Sequence, residues 1–383
     1  MRVQVKRWLK PLAISAGLCA AGAPRAATAD LADGATLNSM MRYFTDSDHV
    51  GVRSVTNDYT VPLKGVAALS LHWNNERVTI PAIKAPVGSP EAIDAITTAS
   101  RPISGNAFQD FVKVRNEVEG EVSRGGGAVD YYLSSERDYV GHQIGARYNR
   151  DLGARLLNLS VGTSYGWDDI KPVADDDTRT ASSTKTTRHV NAVATQIVSP
   201  TTLFRLGVEY NVVDGLQHNP YRNVYAGGSH VAERHPDHRE RRDAFFKLNQ
   251  YLPNRSSVKL DYRFYNDDWG IWSHEIESDL DQYITHSLSA HYEYRYYTQT
   301  RAYFYRSEYT TTSGIDGFLS GDYRMNDLAS HLFGFSFHFD MDALAQAHPF
   351  LGRTALWVDY QRYFNSNDYS ADIVETGLDF HFQ

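Results

Sequence analysis

Cysteine is almost absent: the 383 residues contain one, Cys19, close to the N-terminus. That excludes an intramolecular disulfide, a thiolate metal cage and c-type haem attachment. Beyond residue 29 it also excludes a cysteine nucleophile. Methionine is scarce, at five residues, and positive charge is in deficit, with 38 Lys and Arg against 46 Asp and Glu. Contact with phosphate backbones needs a basic face, so a nucleic-acid partner is not expected. No apolar run of membrane-helix length follows the first 29 residues. No phosphate-cradling glycine loop, dinucleotide fingerprint or haem motif occurs either. No cofactor and no metal centre are therefore expected.

What is present begins with the two ends of the chain. Arg2, Lys6, Arg7 and Lys10 form a basic start, Pro11 to Ala23 is a short apolar stretch, and Ala27-Thr28-Ala29 has the small residues of a cleavage site. This is the layout of a secretory signal peptide, too short to span a bilayer. The expected division is 1–29 signal peptide and 30–383 mature domain. Leu18 before Cys19 does not suit a lipoprotein site. Segment 1–29 carries basic residues and no acidic one, so the mature chain is more acidic than the net charge of −8 for the whole. At the other end, Glu375-Thr376-Gly377-Leu378-Asp379-Phe380-His381-Phe382 reads polar-x-Gly-x-x-aromatic-x-aromatic. In a strand, Phe380 and Phe382 share a face with Leu378 and Val374, and Glu375, Asp379 and His381 share the other. This resembles the C-terminal signal by which outer-membrane barrels are recognised by their assembly machinery, with Gly377, Phe380 and Phe382 as its marks. Gln383 follows the last aromatic, where the aromatic is usually terminal.

Between the ends, apolar and polar residues alternate. Phe333, Phe335, Phe337 and Phe339 interleave with Gly334, Ser336, His338 and Asp340, and Val258, Leu260, Tyr262 and Phe264 with Lys259, Asp261 and Arg263. Period two is a strand signal. These runs extend to about 10–14 residues, the length a tilted membrane strand needs, where soluble strands average about 5–6. The 25 tyrosines suit interfacial girdles. Strands are expected to start near residues 35, 49, 64, 108, 126, 139, 154, 187, 201, 243, 256, 270, 285, 327, 353 and 371. Every second join is short (62–65, 124–126, 150–153, 199–200, 253–255), and the intervening ones include long segments at 76–107, 168–186, 215–242 and 298–326. The 341–352 join is longer than this pattern and is expected to hold a helical turn. The expected fold is all-β: a transmembrane antiparallel up-and-down β-barrel of about 16 strands, with long extracellular loops and short periplasmic turns. The expected location is the bacterial outer membrane.

Several stretches resemble one family. They are Asn219-Pro220-Tyr221-Arg222-Asn223-Val224, Arg234-His235-Pro236-Asp237 leading to Arg241-Arg242, and Tyr251-Leu252-Pro253. Tyr262-Arg263-Phe264-Tyr265, Asp268-Trp269-Gly270-Ile271 and Tyr294-Arg295-Tyr296-Tyr297-Thr298-Gln299-Thr300 ending in Phe304-Tyr305 continue the likeness. The chain resembles the proteins grouped as domain of unknown function 3570 over most of its mature length. That resemblance implies a Gram-negative outer-membrane barrel and carries over no catalytic residue.

The polar face predicts a lumen lined by Lys113, Arg115, Glu117, Glu119, Arg147, Arg205, Glu209, Lys259, Asp261, Arg263, Glu293, Arg295, Asp359, Glu375 and Asp379. Mixed sign points to cross-strand pairs that fasten the wall, with weak ion selection beside them. Lys259-x-Asp261-x-Arg263 and His291-x-Glu293-x-Arg295 read as a charge ladder on strands one apart. His218, His230, His235 and His238 with Glu233 and Asp237 supply imidazole and carboxylate groups for zinc or copper, but their spacing fits no ligand motif and four arginines crowd them. Asp168, Asp169, Asp175, Asp176 and Asp177 form an acidic loop without the glycine and distal glutamate of a calcium loop. Tyr292 to Tyr309 suits either an aromatic girdle or a sugar-stacking surface. Ser273-His274-Glu275 cannot form a triad in a strand, where neighbours face opposite sides. No enzyme is expected. The expectation is a monomeric channel or port for small polar solutes or for an envelope partner protein. It sits among outer-membrane lipid and lipopolysaccharide, with few residues ahead of the first strand to form a plug. The alternatives are a non-conducting structural or binding barrel and a surface enzyme acting on lipid or lipopolysaccharide.

Overall fold

The computed structural model describes residues 34–63, 66–80, 111–173, 181–345 and 348–382. The signal-peptide expectation, most of the 76–107 segment and Asp175 to Asp177 lie outside the described residues. The strands in chain order are β1 (Thr36–Asp46), β2 (Gly51–Leu63), β3 (Ala67–Ile80), β4 (Phe111–Arg124), β5 (Gly127–Ser135) and β6 (Tyr139–Leu152). Then come β7 (Leu157–Ile170), β8 (Ser183–Ser199), β9 (Thr202–Gly215), β10 (Asn223–Ala226), β11 (Ser229–Ala232) and β12 (His238–Leu252). The last six are β13 (Ser256–Asp267), β14 (Trp272–Tyr283), β15 (Leu288–Gln299), β16 (Leu328–Asp340), β17 (Thr354–Asn365) and β18 (Ser370–His381).

All but β10 and β11 form one closed antiparallel barrel, each strand paired with its sequence neighbours. Closure is made by β1 on β18, from Thr36 opposite His381 to Asp46 opposite Ala371. A closed sheet leaves no row of unpaired backbone groups, the condition for a strand structure in hydrocarbon. Barrel strands run from 9 to 17 residues. The outer wall exposes Leu69, Leu71, Trp73, Val161, Leu206, Val208, Ile276 and Phe333, the alternate residues of their strands. A closed barrel with an apolar outer wall is an outer-membrane β-barrel. The sixteen strands begin close to where the alternation places them. β10 and β11 were not anticipated: they form a small hairpin inside the 215–242 loop.

Turn chemistry follows the expected asymmetry. At the β4–β5 join, Gly125 and Gly126 both take positive φ, at 59° and 87°. A two-residue hairpin of matching twist asks for this. A Cβ on Gly126 would also meet the Asn149 carbonyl oxygen at 2.4 Å. The β16–β17 join holds two 3-10 turns, Met341–Leu344 and Pro349–Arg353, where a helical turn was expected.

Candidate functional site: the lumen wall and its external cap

The pairing register fixes which side chains point inward. On β4, Lys113, Arg115, Glu117 and Glu119 share the inward face, and Val112, Val114 and Val118 face out. Arg205 and Glu209 of β9 point in. So do Lys259, Asp261 and Arg263 of β13, Glu293 and Arg295 of β15, Asp359 of β17, and Glu375 and Asp379 of β18. Arg147 of β6 lies on the same side.

Most of these groups are tied across strands. Lys113 pairs with Glu136, and Arg115 Nη2 lies 3.3 Å from Glu76. Glu117 accepts from Asn74 at 2.6 Å and from the Tyr132 hydroxyl. Glu209 is 3.6 Å from His189, and Arg263 Nε is 3.4 Å from Asp243. Asp261 pairs with Lys247, Arg42 with Glu375, and Asn38 donates to Asp379. Glu293 accepts from Gln361 at 3.3 Å. The Arg205 guanidinium lies 5.9 Å from the centre of the Phe245 ring. The ladder on β13 and β15 is joined by a residue between them: Asp281 of β14 receives Lys259 Nζ at 2.9 Å and His291 Nδ1 at 2.7 Å.

β14 supplies what the sequence reading passed over. Glu275, Glu277, Asp279 and Asp281 all face inward, a row of four carboxylates on one strand. The period-two run of acids from 275 to 281 was itself a legible signal. With Asp58, Glu76, Glu121 and Asp130 also inward, acidic side chains outnumber basic ones on the described lumen wall. Glu119, Glu121, His72 and Asp58 line a recess of about 350 Å³ with Arg147.

Exposure along the lumen is graded. Val52, Ser54 and Thr56 at the external end of β2 are buried, and Asp58 below them is exposed. Ser330, Leu332 and Gly334 of β16 are buried, and His338 and Asp340 are exposed. The external end is therefore packed and the periplasmic end open.

The packing comes from folded loops. Trp269, Ile271, Ala302 and Phe304 form one apolar cluster, and Val224, Ala226, Tyr309 and Leu319 another. At their base, the side chain of Glu233 is fully buried. Its carboxylate accepts from Arg222 Nη1 at 3.0 Å, Ser320 Oγ at 2.7 Å, and the backbone N–H of Asn219 and Gly321 at 3.1 and 3.0 Å. Burial acts to raise the Glu233 pKa. The His235 ring 3.3 Å away, the Arg222 guanidinium and the Ser320 hydroxyl outweigh it, and hold the carboxyl well below the ordinary carboxylate range. Asp322, 3.3 Å from Arg222 Nη1 and 2.7 Å from Arg324 Nη2, is shifted the same way: the two guanidinium groups overcome its burial.

The cap also reaches the other loops. The Tyr221 hydroxyl donates to Asp138 and accepts from the Val173 N–H at 3.0 Å. The Tyr369 hydroxyl donates to Asp46 at 3.3 Å, and its ring lies 6.0 Å from that of Tyr323.

The other candidates fall apart or join this packing. His218 and His235 meet edge to face, His230 sits on Tyr225, and His238 on Asp214. Among the described residues no group of three or more His, Cys, Asp or Glu converges to hold an ion. Asp168 pairs with Lys185 at 2.8 Å. Tyr292 and Tyr294 are exposed on the outer wall, and Phe304 and Tyr309 are buried in the cap. Ser273 and Glu275 face in; His274 faces out beside the Tyr262 hydroxyl at 2.8 Å. At the closing strand, Gly377 points inward beneath its partner Trp357, and Phe380 points outward.

A family model described as protein of unknown function (DUF3570) matches residues 111–349. No curated protein matches the sequence. Solved structures similar to this chain include OccK9 (OpdG) of Pseudomonas aeruginosa, at 10% identity and a TM-score of 0.44, covering 91% of this chain and 98% of that one. Outer-membrane expressed OmpT of Vibrio cholerae is similar at 7% identity and a TM-score of 0.45, covering 91% and 97%. The siderophore receptor PirA of Pseudomonas aeruginosa is similar at 10% identity and a TM-score of 0.42, covering 87% of this chain and 57% of that one.

Proposed function

We propose that this chain, which belongs to the family described as DUF3570, is a porin-like channel for small polar solutes with an acidic lumen and a folded external constriction. The observation that carries the reading is exposure inside the wall. Arg147, Arg263 and Arg42 point inward and engage carboxylates, yet their side chains are 50%, 48% and 48% exposed. Charged groups so exposed within a barrel call for water in the lumen, and sixteen strands enclose room for an aqueous channel.

In this reading the inward charges named above are the channel lining, and the four carboxylates of β14 favour cations over anions. Phe380 and Phe382 on the outer face, with Gly377, form the mark read by the barrel assembly machinery. The outer wall sits in lipid as a monomer, and the external arginines meet lipopolysaccharide phosphates.

The test is conductance of the refolded mature protein in a planar bilayer. Discrete steps, with a reversal potential on the cation side in a salt gradient, support the channel. Silence from protein that retains heat-modifiable gel mobility overturns it. Silence would favour a closed barrel acting through its loops, a reading that the cap's own apolar clusters also suit.

A further inference from the structure

We infer that the external end of the lumen holds a binding site for a small organic carboxylate, seated on Arg241. The site lies on the wall of the proposed passage, and the inference goes beyond that reading, resting on it only for what the bound molecule does next.

Arg241 points inward from β12, directly opposite Asn211 of β9. Among the described residues it has no ion pair or hydrogen-bond partner, and its Nε is buried. Asn211 Oδ1 is buried without a partner as well. A largely buried guanidinium with no counter-charge is costly, whereas a pair is tolerated. The neighbouring carboxylates are turned elsewhere, Asp268 to the Glu240 N–H at 2.9 Å. Asp267 holds Arg239 at 2.9 Å, Asp168 holds Lys185 at 2.8 Å, and Asp243, two positions along, lies 3.4 Å from Arg263. Glu209 is turned to His189. These engagements leave the charge of Arg241 over.

The space in front of it is a pocket of about 160 Å³ roofed by the 216–220 loop. At ~30 Å³ per water, it holds about five waters, the size of a molecule with a few carbons. Its walls divide. Arg241, Asn211 and Thr187 are polar, and Ile170, Val213 and Leu216 are apolar. The planar guanidinium matches a carboxylate through two parallel hydrogen bonds. The apolar wall suits a short hydrocarbon tail, which inorganic phosphate lacks.

The experiment is calorimetric titration of the refolded, detergent-solubilised protein with propionate, and separately with inorganic phosphate, at constant ionic strength. It reads binding whether or not the barrel conducts. The expected result is saturable propionate binding, weaker by roughly tenfold or more in Arg241→Gln. It is unchanged in Lys247→Gln, which alters a pair lower in the lumen. Leu216→Trp fills the pocket from the loop and leaves the wall intact, so it abolishes binding even where Arg241→Gln folds poorly. Absence of saturable binding overturns the site, as does undiminished binding in Leu216→Trp. Phosphate binding as tightly as propionate overturns the carboxylate assignment.

Discussion

Glu233 and Arg222 meet at the base of the external hairpin, Nη1 lying 3.0 and 3.1 Å from the two carboxylate oxygens. The acid is sealed from solvent, so the pair is a fastening whose loss leaves a buried charge. Glu233→Gln keeps the shape and removes the nearer of the two charges that offset Arg222, leaving Asp322 at 3.3 Å. Breaking a buried pair in this way costs about 3–5 kcal/mol, which the cap loses and the barrel does not. Tryptic cleavage at Arg234 and Arg306 should accelerate while heat-modifiable mobility stays as in the unaltered protein. Unchanged cleavage would mean that the apolar clusters alone hold the cap.

The same carboxyl sets a pH dependence. Its folded pKa is depressed below the ordinary value, so the stabilisation is fully present above the unfolded pKa of about 4.3 and is lost as pH falls through the folded pKa. Asp322, depressed likewise, acts in the same direction. The cap should therefore resist proteolysis equally at pH 8 and pH 5, each with a protease active at that pH, and open only below about pH 4. Opening between pH 7 and 5 would point to histidine in place of these carboxylates.

The barrel was legible because β13 and β16 each place apolar residues at every second position, and short and long joins alternate along the chain. β14 was harder: His274, Ser278 and Gln282 interrupt its outward face, so its clearest pattern lies in the inward acids. The ladder from Lys259 to His291 could be foreseen as a shared face, but Asp281 at its centre appears only once β14 is paired on both sides. The cap left no period to read. Ser320 bonds Glu233 across 87 residues, and Leu319 bridges Arg234 between two loops. Such contacts follow from chain return, which local alternation does not encode.

The acid row on β14 leads to a prediction on selectivity. Across ~4 Å of water one charge shifts an ion's energy by about 1 kcal/mol, a several-fold effect on occupancy. Glu277→Gln with Asp279→Asn should lower the cation-to-anion permeability ratio several-fold, with the reversal potential in a potassium chloride gradient moving toward zero. The effect should weaken at high salt, where screening shortens to about 3 Å at 1 M. A reversal potential that does not move would place the selecting charges elsewhere on the wall.

Gly377 and Trp357 tie the closing strand to its neighbour by shape. They are direct cross-strand partners on the inward face, and a Cβ at 377 would fall 2.4 Å from two atoms of the indole. Gly377 thus has a packing reason of its own. Gly377→Ala should force the ring aside at about 1–3 kcal/mol, the usual cost of overpacking. The refolded, heat-modifiable fraction should fall accordingly. If the clash is the cause, Trp357→Ala combined with Gly377→Ala restores that fraction, because the smaller partner vacates the space. Should the double variant stay as poor as the single one, Gly377 acts through the backbone, and the indole contact is incidental.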